Sequence, residues 1–363
     1  MKKNILPRDN SLVVLPVLIL AIGLFFIYSA SWREGMPLDQ SLVLRQSLWM
    51  LFAVLLTLAS LRFHYRLLVE IAWPLYGISL VLLVIVLFMP ARLGARRWID
   101  LGFFNFQPSE LGKFSTILLL AAWMKENRFE DSTKKKLLTP FLLMAVPTLL
   151  VLKEPDLGTA LIFVPVLFAM LYVWGFRLKW ITLMFLAAVL ITPFLFTHLK
   201  DYQKSRIEIF LDPSLDPFGA GYTIIQSKIA VGSGGLLGKG FMSGTQTQLQ
   251  FLPEKHTDFI FAVIGEEGGF LSVLFVLFCY WTIVYKGFRI AQKCNNRFGQ
   301  LLATGITTLL AFQAIVNMAM TTGLVPVVGM PLLLVSYGGS SLVITMFLIG
   351  VLVNIGMHRD PFF

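Results

Sequence analysis

The chain has 363 residues, 57% of them hydrophobic and only 14% charged, with a mean hydropathy of +0.77. Soluble domains carry about 45–50% apolar and about 25% charged residues, so water-soluble globular, disordered and nucleic-acid-binding classes are poor fits, and a transmembrane barrel, whose strands alternate apolar and polar residues, is excluded as well. The net charge of +10, from 30 Lys and Arg against 20 Asp and Glu, either marks an anionic partner or reflects the Lys and Arg that gather in cytoplasmic loops.

What remains is an all-α polytopic bundle, because a helix satisfies its own backbone where lipid offers no hydrogen-bond partners. Ten apolar stretches near spanning length follow in order, at about 11–31, 42–61, 69–90, 109–124, 138–152, 157–174, 180–198, 258–285, 300–322 and 332–356. The first follows Lys2, Lys3 and Arg8 as a signal peptide would, but it is longer than a secretory core, which predicts an uncleaved span. Only Lys153, Glu154, Pro155 and Asp156 separate the fifth stretch from the sixth. Cys279 in an apolar run and Cys294 in a basic loop give no disulfide framework.

With the N-terminus inside, more than half of the Lys and Arg residues fall in short inside segments, so topology accounts for most of the positive charge and places both termini in the cytoplasm. Two basic concentrations stay outside: Arg92, Arg96 and Arg97 before the fourth stretch, and the loop at about 199–257. That loop is far longer than an ordinary connection. Its scattered apolar residues, among them Ile207, Phe210, Tyr222 and Ile224, predict that it is structured and packs on the outer surface. The whole chain, 1–363, reads as a single integral membrane domain.

Charged groups within or beside membrane spans are costly and call for a reason. Arg45, near the outer end of the second stretch, either snorkels to the headgroups or serves a site. Glu110 and Lys113 share a helix face at spacing i, i+3, as a structural ion pair or as part of a site, with Pro108 and Ser109 at the helix start and Ser109 as a candidate cap. Asp156 is placed to cap the sixth helix. Asp258, next to Lys255 and His256 at a water–lipid boundary, is either the N-cap of the eighth helix or a candidate base. Glu266 and Glu267 cannot face one direction on a helix; beside Gly268 and Gly269 they predict a kink with hydrogen-bonded carboxyl groups, a proton relay being the lesser alternative.

The run Gly232–Gly240 resembles a phosphate-binding P-loop but has Ser233 in place of the first Gly and Gly240 in place of the Ser or Thr, so that reading is rejected. His64, His198, His256 and His358 lie on both faces, without zinc-ligand spacing. In this topology Arg96, Arg97, Glu110, Lys113, Asp156, Lys255, His256 and Asp258 all fall at the outer ends of spans. A cavity holding cations and carboxylates suits an anionic lipid headgroup.

The segments Gly94–Gly102, Phe106–Lys113, Pro155–Ala160, Leu252–Phe261 and Ser336–Ser341 together resemble the SEDS family (shape, elongation, division and sporulation), in the family's order, from about residue 90 to the end. Gly244, Thr245 and Gln246, with Pro326–Gly329, are more similar to its elongation branch than to its division branch. The resemblance implies a ten-span peptidoglycan glycosyltransferase of the bacterial cytoplasmic membrane. Such an enzyme polymerises lipid II into a glycan strand on the outer face, alongside a class B penicillin-binding protein, and releases undecaprenyl pyrophosphate. By motif it implies Asp258 as the essential aspartate, Glu110 and Lys113 as its supporting pair and Asp156 as a further motif aspartate. Several members of the elongation branch carry a basic residue where Asn105 stands; here Arg96 or Arg97 would serve instead.

The expected mechanism is an inverting transfer with Asp258 as general base. Arg96, Arg97, Lys113 and Arg45 would stabilise the departing pyrophosphate, and Gln107, Lys255, His256 and Ser336 complete the candidate substrate contacts. A divalent cation, Mg or Mn, is a possible helper for which the sequence shows no site, and grooves between spans would take the isoprenoid tail. Two alternatives stay open: a lipid II flippase, favoured by Glu266 and Glu267, and a scaffold that recruits the penicillin-binding protein.

Overall fold

The computed structural model describes residues 11–32, 41–91, 95–102, 104–127, 129, 134–197 and 201–358. Arg92, Gly94, His198, the first ten residues and Arg359 fall outside them. Ten long helices follow the ten expected stretches in order: α1 (Ser11–Ser31), α2 (Leu42–Ser60), α3 (Ala72–Val86), α4 (Pro108–Glu126), α5 (Lys134–Lys153), α6 (Leu157–Trp174), α7 (Leu178–Thr197), then α11 (Ile260–Lys293), α12 (Arg297–Thr321) and α13 (Gly339–Met357). Between α7 and α11 lie three shorter helices, α8 (Asp201–Leu211), α9 (Ala220–Ser233) and α10 (Thr245–Gln248), so the described part of this long loop, 201–257, is structured, as its apolar residues predict. Among the described residues seven helices are long and apolar enough to cross a membrane, and α3 is a shorter apolar helix. The charges of α4 (Glu110, Lys113, Lys125 and Glu126) set it apart from those seven.

The burial pattern is that of a bundle in lipid. Leu48, Leu51, Phe52 and Leu55 of α2, and Phe270, Leu274, Phe278 and Trp281 of α11, point outward, whereas Gln313, Asn317, Thr307 and Thr321 of α12 are buried. Apolar side chains on the outside gain from acyl chains, and the polar ones turn inward to find partners. Helix α12 is the centre: it packs against α11, α6 and α4, while α13 lies against α2, α3 against α4, and α1 against α11.

Between α3 and α4 the chain makes a short antiparallel hairpin, β1 (Ile99–Asp100) with β2 (Asn105–Phe106), in which Ile99 faces Phe106 and Asp100 faces Asn105. Arg96 and Arg97 lie just before it in the chain. Helix α4 begins at Pro108, with Gln107 as its N-cap, so the expected Ser109 cap is corrected. Proline has no N–H to lose in the first turn and belongs at N1, which puts Ser109 at N2, two positions too late to cap. The side chain of Ser109 instead accepts a hydrogen bond from Gln107 Nε2 at 3.1 Å.

Helix α11 is broken at Gly269, whose φ of 70° and ψ of −172° are non-helical. A kink frees backbone groups that must find other partners, and the long loop between α7 and α11 supplies them. Gly235 O accepts from Phe270 N at 2.9 Å, Leu236 O accepts from Leu271 N at 3.2 Å, and Lys239 N donates to Glu266 O at 3.0 Å. A side chain at Gly238 would strike the Glu267 carbonyl. Within the glycine-rich run 232–240, Gly234 and Gly238 press backbone against the α11 backbone, which accounts for part of its likeness to a phosphate loop.

Candidate active site

Asp258 sits in a turn just before α11, two residues before the helix itself begins. Three neighbours fix the turn's backbone. Ser336 Oγ donates to Thr257 O at 2.6 Å, Tyr337 N donates to His256 O at 2.9 Å, and Asn317 Nδ2 donates to Asp258 O at 2.9 Å. The Asp258 carboxylate itself accepts no hydrogen bond from any described residue. Burial pushes it up to about 6, with the Glu254 carboxylate adding to the rise and the Arg97 guanidinium opposing it. A half-buried carboxylate left without donors, yet ionised near neutral pH, is what a general base requires.

Arg97 binds the segment between α5 and α6. Its Nη2 donates to Pro155 O at 2.5 Å and its Nε lies 3.7 Å from Asp156 Oδ2. Asp156 caps α6 as its position predicts, accepting from Thr159 N at 3.1 Å and from Thr159 Oγ1 at 2.8 Å. The remaining Arg97 nitrogen, Nη1, and Asp258 Oδ2 both border Gly329. A Cβ placed on Gly329 would lie 3.9 Å from that nitrogen and 3.6 Å from Asp258 Oδ2. Gly329, at φ +71°, therefore leaves an open gap between a base and a cation.

The other expected residues divide. Glu110 and Lys113 form a buried pair at 2.9 Å, 3% and 2% exposed, and Lys113 Nζ also donates to Gln313 Oε1 at 3.1 Å. Gln313 Nε2 in turn donates to Pro331 O at 3.2 Å, and Asn317, one turn further along α12, donates to Met330 O at 2.6 Å as well as to Asp258 O. The pair thus stands behind the Asp258 turn, joined to it through two amides. Arg96 is exposed and donates to Leu87 O at 2.7 Å, so of the two adjacent arginines it is Arg97 that acts on Asp258, with Arg206 of α8 as a further, weaker cation. Arg45 is exposed on the first turn of α2. Lys255 Nζ is drawn to Thr247 O, and Ser336 holds the turn rather than facing open space. His256 is lowered by burial, which Lys255 reinforces and Glu254 opposes, leaving it neutral near pH 7.

Three participants escaped the sequence reading. Gln313 and Asn317 are amides at i, i+4 in an apolar span, a spacing that could have flagged them. Glu154, beside Asp156, is 0% exposed, and neither of its oxygens has a hydrogen-bond partner among the described residues. Burial, with Asp156 adding to it and Arg97 opposing, pushes Glu154 up to about 9, so it is a neutral acid at pH 7. For the cation helper, no group of three or more His, Cys, Asp or Glu side chains that could hold a metal ion occurs among the described residues; a magnesium ion at a phosphate site needs only one or two carboxylates beside the substrate. A cavity of about 640 Å³ lined by Tyr172, Phe176, Arg177, Phe288 and Gln300 lies at the far ends of α6 and α11 from Asp258, and none of the expected site residues lines it.

Residues 9–360 match the FtsW/RodA/SpoVE family, described as cell cycle proteins. The chain is 44% identical to the peptidoglycan glycosyltransferase MrdB of Escherichia coli K12 over 290 residues, which cover 78% of this chain and 77% of that protein. It is 38% identical to the probable peptidoglycan glycosyltransferase FtsW of Trichlorobacter lovleyi over 366 residues, 97% of this chain and 94% of that one. Among solved structures, a chain from a peptidoglycan synthase complex, described as coordinating polymerization and crosslinking, superposes with a TM-score of 0.82 at 34% identity, covering 97% of this chain and 98% of that one. The rod shape determining protein RodA of Thermus thermophilus gives a TM-score of 0.72 at 29% identity over the same shares.

Proposed function

The chain belongs to the FtsW/RodA/SpoVE family of cell cycle proteins, and we propose that it is a peptidoglycan glycosyltransferase of the bacterial inner membrane. The proposed substrate is lipid II, polymerised alongside a class B penicillin-binding protein during cell elongation. In this reading all 363 residues form one membrane unit crossing ten times, with both termini in the cytoplasm and Asp258 on the outer face. The basic residues of the short inside segments support that orientation.

The observation that carries the reading is the Asp258 carboxylate, which accepts no hydrogen bond among the described residues and borders Gly329 together with Arg97 Nη1. Asp258 takes the proton from the 4-hydroxyl of the incoming lipid II sugar. That oxygen attacks the anomeric carbon of the growing strand's lipid-linked sugar with inversion. The bond to the pyrophosphate breaks, and the leaving group departs with the electron pair. Arg97, which borders this gap, stabilises the charge that develops on the leaving pyrophosphate. Lys113 acts from behind, fixing α4 against α12 rather than touching the phosphates.

Purified protein, with its penicillin-binding partner, is given labelled lipid II. The expected result is glycan from the native chain and none from a folded Asp258→Ala variant. Full activity in that variant overturns the base assignment, and lipid II translocation without polymer would establish a flippase instead.

A further inference from the structure

One carboxylate fastens the outer loop to α11. Glu266 is fully buried and accepts five hydrogen bonds from a single stretch of the loop. Oε1 accepts from Lys239 Nζ at 2.9 Å, Thr245 Oγ1 at 3.2 Å and Gln246 N at 2.8 Å. Oε2 accepts from Thr247 N at 3.0 Å and Thr247 Oγ1 at 2.8 Å. An ionised carboxylate offers about four acceptor sites, so this one is fully used. Glu267 turns the other way and accepts from Ser29 Oγ of α1 at 2.7 Å and from Gln248 Nε2 at 3.2 Å. The two carboxylates hold segment 239–248 between α11 and α1.

The contacts then run toward Asp258. The carbonyl of Thr247 accepts from Lys255 Nζ, three residues before the base. The other supports of the Asp258 turn, Ser336, Tyr337 and Asn317, all come from α12 and the connection between α12 and α13. Glu266 also precedes the break at Gly269, so the first turns of α11 are bonded to the loop and separated from the remainder of the helix by a non-helical residue.

We propose that Glu266 is a positioning residue for Asp258, fixing segment 239–248 and, through the Thr247 carbonyl and Lys255, the turn that presents the base to the acceptor hydroxyl. This rests on Asp258 being the base. It assigns the adjacent carboxylates a task other than proton relay: Glu266 holds the loop side of the site, and a displacement of the loop reaches Asp258 without bending the helix beyond Gly269.

The test compares Glu266→Gln, Thr247→Val and their double variant as full-length protein with the penicillin-binding partner and labelled lipid II. The expected result is a kcat loss of about tenfold or more in Glu266→Gln with KM within about twofold. Thr247→Val should lower kcat in the same way, the double variant should be no worse than the stronger single one, and Glu266→Asp should recover part of the rate. Native kcat in a folded Glu266→Gln protein, a KM change as large as the kcat change, or additive losses would overturn the proposal. If Glu266→Gln fails to fold, Thr247→Val decides by the same kcat and KM criteria. Asp258→Ala is assayed in parallel. An active Asp258→Ala removes the base and the proposal together, whereas an inactive one with a native Glu266→Gln removes only the proposal.

Discussion

Arg97 and Asp258 meet over a missing side chain: a methyl group on Gly329 would sit 3.9 Å from Arg97 Nη1 and 3.6 Å from Asp258 Oδ2. Gly329→Ala therefore places carbon where the reacting groups must approach, and at φ +71° it adds backbone strain of about 1–2 kcal/mol. The expected outcome is a folded protein with strongly reduced polymerisation and a slightly lower melting temperature. Native polymerisation by this variant would show that the gap is not used.

The pH dependence of kcat/KM follows from the same carboxylate. Asp258 is raised from 3.8 to about 6, and a base works only when deprotonated. Activity should rise through about pH 6 and level off above it, where the base is ionised. A pH–rate profile of lipid II polymerisation checks this, and an acid limb near pH 4 would place Asp258 in a far more polar setting.

Glu154 gives a signature in stability instead. Its folded value of about 9 lies far above the ordinary 4.5, so between those values the unfolded chain releases a proton that the folded chain keeps. This contribution to stability is fully present below about pH 4.5 and is lost as pH rises toward 9, by at most about 1.4 kcal/mol per pH unit. Glu154→Gln keeps the shape and removes the titration. Its melting temperature in detergent should exceed that of the native protein at pH 8 by more than at pH 6, whereas a pH-independent difference would mean that Glu154 is not held neutral.

The Glu110–Lys113 pair is almost fully buried. Removing one partner leaves an uncompensated charge, so Lys113→Met should cost about 3–5 kcal/mol, while the Glu110→Gln, Lys113→Met double variant should regain most of it. Thermal unfolding measures both. A double variant that folds but no longer turns over lipid II would return Lys113 to the pyrophosphate.

The parts of this architecture that could be read in advance are local. The long helices follow continuous apolar runs, and the short link between α5 and α6 suffices to separate them. Asp156 caps α6 because a carboxylate sits three residues before the N–H it accepts. What could not be read depends on residues distant in the chain. Glu154 looks like an ordinary loop charge until the fold buries it beside Asp156. The glycines at 232–240 imitate a phosphate loop because both need bare backbone, and only the kink at Gly269 shows what this backbone meets. Lys255 was placed among the substrate contacts by its nearness to Asp258 in sequence, and only the fold shows that its ammonium also donates to Thr247 O. Arg96 and Arg97 are adjacent and chemically alike, and it is the fold that turns one to Leu87 and the other to the site.

Gln313 and Asn317 make α12 a ruler. One amide touches Lys113 and the other the backbone of Asp258, and the step of four positions from one to the other rises by about 6 Å. The depth from the base to the buried ion pair is thus set by helical pitch and not by the length of any loop. Lengthening an outer connection would leave that depth unchanged. One residue inserted between 313 and 317 would swing one amide by about 100° around the axis and cut the measure in two.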